Sequence, residues 1–245
     1  MTGCGLMSKS IAIITARGGS KRIPKKNIRD FCGKPILSYS IEAALKSGVF
    51  EEVMVSTDSE EIAEIARKEG AAVPFFRSAK TANDFATTTD VLLEVIQEYK
   101  QRGIEFEYGC CIYPTAPFVT PEKLKTAMDL LKKQEADSVM PIVQYSFPPQ
   151  RGVEVEEGLI KVKWPEYYQM RSQDLSPIYH DVGQFYCFRT DRFIDSKKIV
   201  GEHCVPMIVS DLEVQDIDNE EDWKIAEMKY KLMQSEKEQE YADKR

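Results

Sequence analysis

Six basic side chains and no acidic one fall between Arg17 and Arg29, in a chain whose formal net charge is -7. They belong to the run Ala16-Arg-Gly-Gly-Ser-Lys-Arg-Ile-Pro-Lys-Lys-Asn27 and its flank, which directly follows the apolar stretch Ile11–Ile14. A dense local positive charge on an acidic protein calls for a local anion. Gly18 and Gly19 let the backbone approach that anion, and Ser20, Lys21, Lys26 and Asn27 add donors, a composition suited to a polyphosphate. The bland alternative is a solvated basic loop. Position argues against it, because open α/β sheets bind ligands where loops leave the carboxyl ends of strands. Neither a P-loop nor a dinucleotide fingerprint fits: Gly33-Lys34 is followed by Pro35, and Gly18-Gly19-Ser20 lacks the required glycine spacing.

Asp216-Ile-Asp218 is the second constellation. In extended chain, residues i and i+2 point the same way, so two carboxylates face one spot and call for a hard cation such as Mg²⁺. The competing reading makes Asp218 the cap of the helix that follows, with Glu221 completing a capping box. Arg77 through Asp84, followed by Thr87-Thr-Thr89, lies after a strand on the ligand side, where Arg77 could meet a base or phosphate and the hydroxyls could read base edges; the competing reading is an ordinary polar loop with an N-cap. Tyr113-Pro-Thr-Ala-Pro117 is similarly placed, its prolines fixing the hydroxyl of Thr115. Arg171 could hold a carboxylate bidentately. His180 beside Asp181 offers a general base, although a histidine next to an acid is more often structural.

The elements that must position these residues alternate. Strands are expected at 11–14, 52–56, 72–76 (an edge, given Pro74), 108–112 and 137–143. Helices are expected between them: one from Pro35 to Gly48, one capped by Asp58 with Glu61 and stopped by Gly70, one from Thr89 to Gly103, and one from Thr120-Pro121. This pattern predicts an α/β fold with a Rossmann-like, doubly wound, mostly parallel sheet. The chain then divides as a nucleotide-binding core over 10–143, an extended arm over 144–180 rich in Pro and Tyr with a hairpin strand at 159–164, and a remainder over 181–235. That remainder carries strands at 183–188 and 205–209 and a final helix from Glu220, fraying into a charged tail over 236–245.

At 245 residues with 42% hydrophobic and 30% charged content, the composition is that of a globular domain with a small excursion. No apolar run has the length of a membrane span. Residues 1–9 lack the apolar core of a signal peptide, and Met7 is an alternative start. The six cysteines include no Cys-x-x-Cys pair and are expected as free thiols in a reducing cytoplasm. The acidic balance argues against a nucleic-acid partner.

The basic run resembles that of CMP-sialic acid synthetases, the acylneuraminate cytidylyltransferases. Gly33-Lys-Pro35, Ser56-Thr-Asp58, Arg77 through Asp84, Pro114-Thr-Ala-Pro117 and Asp216-Ile-Asp218 follow in that family's order, from Ile11 to about Trp223. The related 3-deoxy-manno-octulosonate enzymes usually carry Pro-Gly-Lys where this chain has Pro24-Lys-Lys-Asn27. Tyr145 through Arg151, Arg171 through Leu175 and Tyr179 through Tyr186 resemble the branch acting on pseudaminic acid. Tyr113 and Ala116 depart from the neuraminate pattern, where Gln and Ser are usual. The resemblance implies coupling of CTP to a nine-carbon 2-keto-3-deoxy sugar acid, pseudaminic acid being favoured over legionaminic, N-acetylneuraminic and 3-deoxy-manno-octulosonic acids. It implies triphosphate binding by Arg17, Lys21 and Lys26 with Asn27 nearby; cytosine or ribose contacts from Arg77, Ala82 and Thr87, with Asp84 also among the CTP-binding residues; and Mg²⁺ on Asp216 and Asp218. Sugar-side residues would be Tyr113, Thr115, Arg171, Tyr179, Gln184 and Phe185, and the arm would make a homodimer. No general base is assigned. A nucleotide-sugar glycosyltransferase, or a nucleotide-binding protein without catalysis, are the readings of other classes.

Overall fold

In a computed structural model, residues 9–243 are described. Met7 and Cys4 therefore lie outside the described residues. The strands are β1 (Ser10–Thr15), β2 (Asp30–Phe31), β3 (Lys34–Pro35), β4 (Glu52–Ser56), β5 (Tyr108–Ile112), β6 (Ser138–Gln144), β7 (Val153–Glu156), β8 (Leu159–Val162), β9 (Tyr179–Asp181), β10 (Phe185–Arg189) and β11 (Cys204–Ile208). The helices are α1 (Ile36–Ser47), α2 (Glu60–Lys68), α3 (Thr88–Gln101), α4 (Pro121–Lys133), α5 (Pro165–Tyr168), α6 (Thr190–Ser196) and α7 (Glu220–Asp243).

The main sheet runs β11-β6-β10-β5-β1-β4, with β9 also paired to β6. β4 and β5 flank β1 in parallel, and β11 is parallel to β6, whereas β10 is antiparallel to both neighbours. The mostly parallel, doubly wound expectation holds, and the α/β class with it; the antiparallel β10 was not legible in the alternation. Sheet periodicity explains the two layers. Ala12 and Ile14 face one core with Leu37, Ile41, Ile62 and Leu124 from α1, α2 and α4. Ile11 and Ile13 face the other with Leu92, Val95 and Tyr99 of α3 and Phe193 of α6.

Several local expectations change. Residues 72–76 form no strand: Ala72 alone bridges Met54, and Pro74, which has no N–H to donate, follows at once. The chain then continues alongside β4 without regular pairing until the Arg77 amide donates to the Thr57 carbonyl at 2.9 Å. Asp58 does not cap α2, whose N-cap is Ser59; its Oδ1 accepts from the Gly18 amide at 2.8 Å. Helix α3 is capped one residue earlier than expected, with Thr87 and Asp90 forming a reciprocal capping box. Helix α7 continues to Asp243, through the segment expected to fray. The arm holds the β7–β8 hairpin and little else that is regular, as its composition predicts.

A third apolar cluster decides the layout of the site. Ile23 from the basic loop, Phe31, Ile36, Phe118, Ile217 and Trp223 pack together in it, fully or almost fully buried. Phe31 meets Trp223 edge-to-face at 5.5 Å, and the Arg29 guanidinium lies 4.5 Å above the Trp223 ring. This burial clamps the loop after β1 to the segment before α7.

Candidate active site

The clamped loop and the carboxyl ends of β1 and β5 enclose a cleft of about 480 Å³. Thr15, Arg17, Ser20, Lys21, Arg22, Lys26 and Asn27 line it from the first loop, Arg77 and 86–88 from the second, Tyr113, Pro114 and Thr115 from the third, and Asp218 from the far side. Arg17, Lys21, Arg22, Lys26 and Arg77 thus face a single lining carboxylate. Such a cleft attracts a multiply charged anion.

Each wall is built for its place. The Ala16 amide donates to the Ser56 carbonyl at 3.0 Å, extending the β1–β4 pairing past the strand end. Asn27, nearly buried, donates from Nδ2 to the Arg17 carbonyl at 2.8 Å and so braces the loop on itself. Gly18 is needed for close approach, because a Cβ there would stand 3.1 Å from that of Ser59. Gly19, by contrast, faces open space. Ala16, Gly18 and Gly19 shape the loop but do not line the cleft; Ala16 is fully buried.

Lys26 is the lysine of the loop whose surroundings shift its titration. Burial drives its pKa below the ordinary lysine value, against the opposing pull of Asp218 and Asp216. Its Nζ donates to the Ile217 carbonyl at 2.7 Å, between the two aspartates in sequence. Ile217 is buried while Asp216 is exposed and Asp218 half-exposed. This alternation fits an extended segment with both carboxylates on one side. Asp218 does not cap α7. Asn219 accepts at Oδ1 from the Glu221 and Asp222 amides, and Asp222 accepts from the Asp218 and Asn219 amides, so the capping reading of Asp218 falls. Asp218 instead accepts from Arg22 at 2.6 Å.

Arg77 donates from Nε to the Ser56 hydroxyl and from one terminal nitrogen to the Ser56 carbonyl, both at 2.9 Å. Burial lowers its pKa to about 10, which leaves it a cation at neutral pH. Thr87 lines the cleft while capping α3. Tyr113 sits edge-to-face on Tyr186 at 5.7 Å, with its hydroxyl 3.5 Å from that of Thr88. Burial raises the pKa of Tyr113.

Other expected site residues are placed elsewhere. Asp84 faces the basic loop, but as a carboxylate bound to it: one oxygen accepts from Arg17 and the other from Lys21, each at 2.6 Å. Those contacts, Lys21's first, lower its pKa. An anion so placed repels a phosphate while both pairs stand. Ala82 lies in the turn before it, its amide bonded to the Ser78 carbonyl, and does not line the cleft. Phe185 is fully buried opposite Ile112 in the sheet, a core residue rather than a sugar contact. Gln184 is 2% exposed and donates to the Glu213 carbonyl at 2.6 Å, which makes it a brace. Tyr179 pairs with Gln144 at the end of β6, and Arg171 is exposed on the arm; neither lines the cleft. His180 stacks on Tyr145 at 4.6 Å, also outside it. Arg22, Thr15, Ala86 and Val91 are lining residues that the motif reading missed, while Thr88 of the expected Thr87-Thr-Thr89 run is among those in place. Arg22 was visible only as one of several cations in the run, with nothing local to say which way each points.

The comparisons with known proteins agree on one family: cytidylyltransferases match this chain over residues 11–235. The chain belongs to the cytidylyltransferase family. This cytidylyltransferase is 38% identical to a pseudaminic acid cytidylyltransferase of Campylobacter jejuni subsp. jejuni, over 91% of this chain and 97% of that one. It is 34% identical to a CMP-N,N'-diacetyllegionaminic acid synthase of Legionella pneumophila, over the same shares. Among solved structures it is similar to a CMP:2-keto-3-deoxy-manno-octonic acid synthetase complexed with CTP, with a TM-score of 0.65 at 20% identity over 94% of this chain and all of that one. The cytidylyltransferase is thus a nucleotidyltransferase enzyme with the α/β fold of that class, and the glycosyltransferase and non-catalytic readings give way.

Proposed function

We propose that this cytidylyltransferase couples CTP to pseudaminic acid, giving the CMP-sugar and pyrophosphate. The observation that carries the chemistry is the cleft itself, five cations converging opposite Asp218. The choice of sugar rests on the greater identity to the pseudaminic acid enzyme than to the legionaminic acid one, 38% against 34%, and on Tyr113 in the cleft.

Arg17, Lys21, Arg22 and Lys26 hold the triphosphate, and Arg77 with Thr87 lies on the nucleoside side. The anomeric oxygen of the sugar forms a bond to the α-phosphorus and gives up its proton to water. The bond from that phosphorus to the bridging oxygen breaks, and its electron pair leaves with pyrophosphate. Negative charge grows on the leaving group, and fixed cations stabilise it most where water is excluded. Lys26 is suited to this task, since its tie to the Ile217 carbonyl holds it in place before reaction.

Among the described residues no three His, Cys, Asp or Glu side chains gather as a ready-made cation site. Two carboxylates on one side of an extended segment still fit Mg²⁺, which takes few protein ligands and completes its shell with phosphate oxygens and water. Asp216 and Asp218 would hold it, and it would supply charge neutralisation at the phosphates. The exposed apolar side chains of the hairpin, Val155, Leu159 and Ile160, support a homodimer formed through the arm. A cytoplasmic location agrees with the free thiols of Cys32, Cys111 and Cys204.

The test is pyrophosphate release from CTP and Mg²⁺ with pseudaminic, legionaminic, N-acetylneuraminic and 3-deoxy-manno-octulosonic acids in parallel. Release with pseudaminic acid alone is expected. Release with another acid alone would move the substrate and keep the chemistry.

A further inference from the structure

The loop between Arg77 and α3 is anchored at both ends and held at its tip by one side chain. At its start, the Ser78 amide and hydroxyl both donate to the Glu94 carboxylate, and the Thr81 hydroxyl joins them. At its end, Thr87 is locked by the capping box with Asp90. Between these anchors Asn83 organises a local turn, its Oδ1 accepting from the Phe85 and Ala86 amides. What binds this turn to the rest of the protein is Asp84, with one oxygen on Arg17 and the other on Lys21 at 2.6 Å each. Phe85 beside it is 94% exposed and adds no packing to hold the tip.

Arg17 and Lys21 both line the cleft. Five cations gathered without an anion repel one another, and an internal carboxylate relieves that repulsion and fixes two of their side chains. A triphosphate brings the same type of oxygen at higher charge density to the same donors. Asp84 and the ligand therefore compete for one pair of cations.

We propose that Asp84 is a placeholder anion: it holds Arg17 and Lys21 in position ahead of binding, and an incoming polyphosphate displaces it and frees the loop tip over 82–86. This assignment rests on the reading of the cleft as a triphosphate site and adds a positioning residue to it. It also explains why a carboxylate stands among phosphate-binding cations.

The test measures binding of inorganic tripolyphosphate and of CTP to the full chain by calorimetry, for wild type, Asp84→Asn and Asp84→Glu. Losing the competing carboxylate should give a roughly three- to thirtyfold gain in affinity for both probes in Asp84→Asn. Asp84→Glu keeps the carboxylate and should stay near wild type. Limited proteolysis within 82–86 should be accelerated by tripolyphosphate in wild type and be fast without it in Asp84→Asn. Unchanged or weaker tripolyphosphate binding in Asp84→Asn, at an unaltered melting temperature, would overturn the proposal even if wild-type turnover of CTP is normal. Tighter binding of both probes without pyrophosphate release on any sugar acid would support the placeholder while removing the catalytic reading.

Discussion

Lys26 donates from Nζ to the carbonyl of Ile217 across 2.7 Å, although 191 positions separate the two in sequence. The contact joins the basic loop to the aspartate segment and fixes a partly desolvated cation in the wall of the cleft.

Replacing that cation should be felt in turnover before stability. Lys26→Ala should lower kcat by about 10²–10³-fold, the usual loss for one preorganised electrostatic donor, with little change in Tm. Steady-state pyrophosphate release together with a thermal melt checks both halves.

The depressed pKa of Lys26 sets a pH dependence. Its ammonium is present below that lowered value and lost as pH rises through it, so affinity for CTP should fall at lower pH than an ordinary lysine would allow. Stability moves the other way in the same window: the unfolded chain still binds the proton there, so the cost of burying the charge fades as pH rises toward 10.5. Lys26→Arg should move the alkaline limb of CTP binding upward. An unmoved limb would assign it to another group.

Metal dependence and helix capping should separate cleanly. Asp218→Asn is expected to raise the Mg²⁺ needed for half-maximal rate by about tenfold or more, the loss typical of a damaged metal site. Asn219→Ala should instead cost about 1 kcal/mol of stability as a lost cap, with metal dependence unchanged. A Tm drop in Asp218→Asn without a change in Mg²⁺ requirement would contradict the assignment.

Gly109 on β5 faces the ring of Phe188, and a Cβ there would overlap it. Gly109→Ala should therefore destabilise by about 1–3 kcal/mol through overpacking, read as a lower Tm with the nucleotide site chemically intact.

If the proposed dimer forms through the arm, Ile160→Asp in the hairpin, at a side chain 72% exposed, should make the protein monomeric by light scattering and remove the concentration dependence of its Tm. A dimer that survives would place the interface off the arm.

Much of the fold was legible because its signals are local. Alternating apolar strands, Thr120 before Pro121, and Gly48 in the left-handed region after α1 all act within a few residues. The edge strand at 72–76 failed because Pro74 offers no N–H after the single bridge at Ala72, and the next bond to the β4 end comes only at Arg77 with Thr57. In the site, Arg17, Lys21, Lys26, Asn27, Arg77, Thr87, Tyr113, Thr115 and Asp218 all reach one cleft. Phe185 and Gln184 were misplaced because strand β10 runs antiparallel and turns them into the sheet and its brace.

Residue type and spacing alone establish that a polyphosphate-sized concentration of positive charge follows the first strand, since charge and chain connectivity are properties of the primary structure. Which partner each charge takes is set by packing. The cluster of Ile23, Ile217 and Trp223 brings Asp218 to Arg22 and Lys26, and the turn at Asn83 brings Asp84 to Arg17 and Lys21. Ion pairs act over a few ångströms, and only burial of distant apolar residues against one another brings these groups within that range.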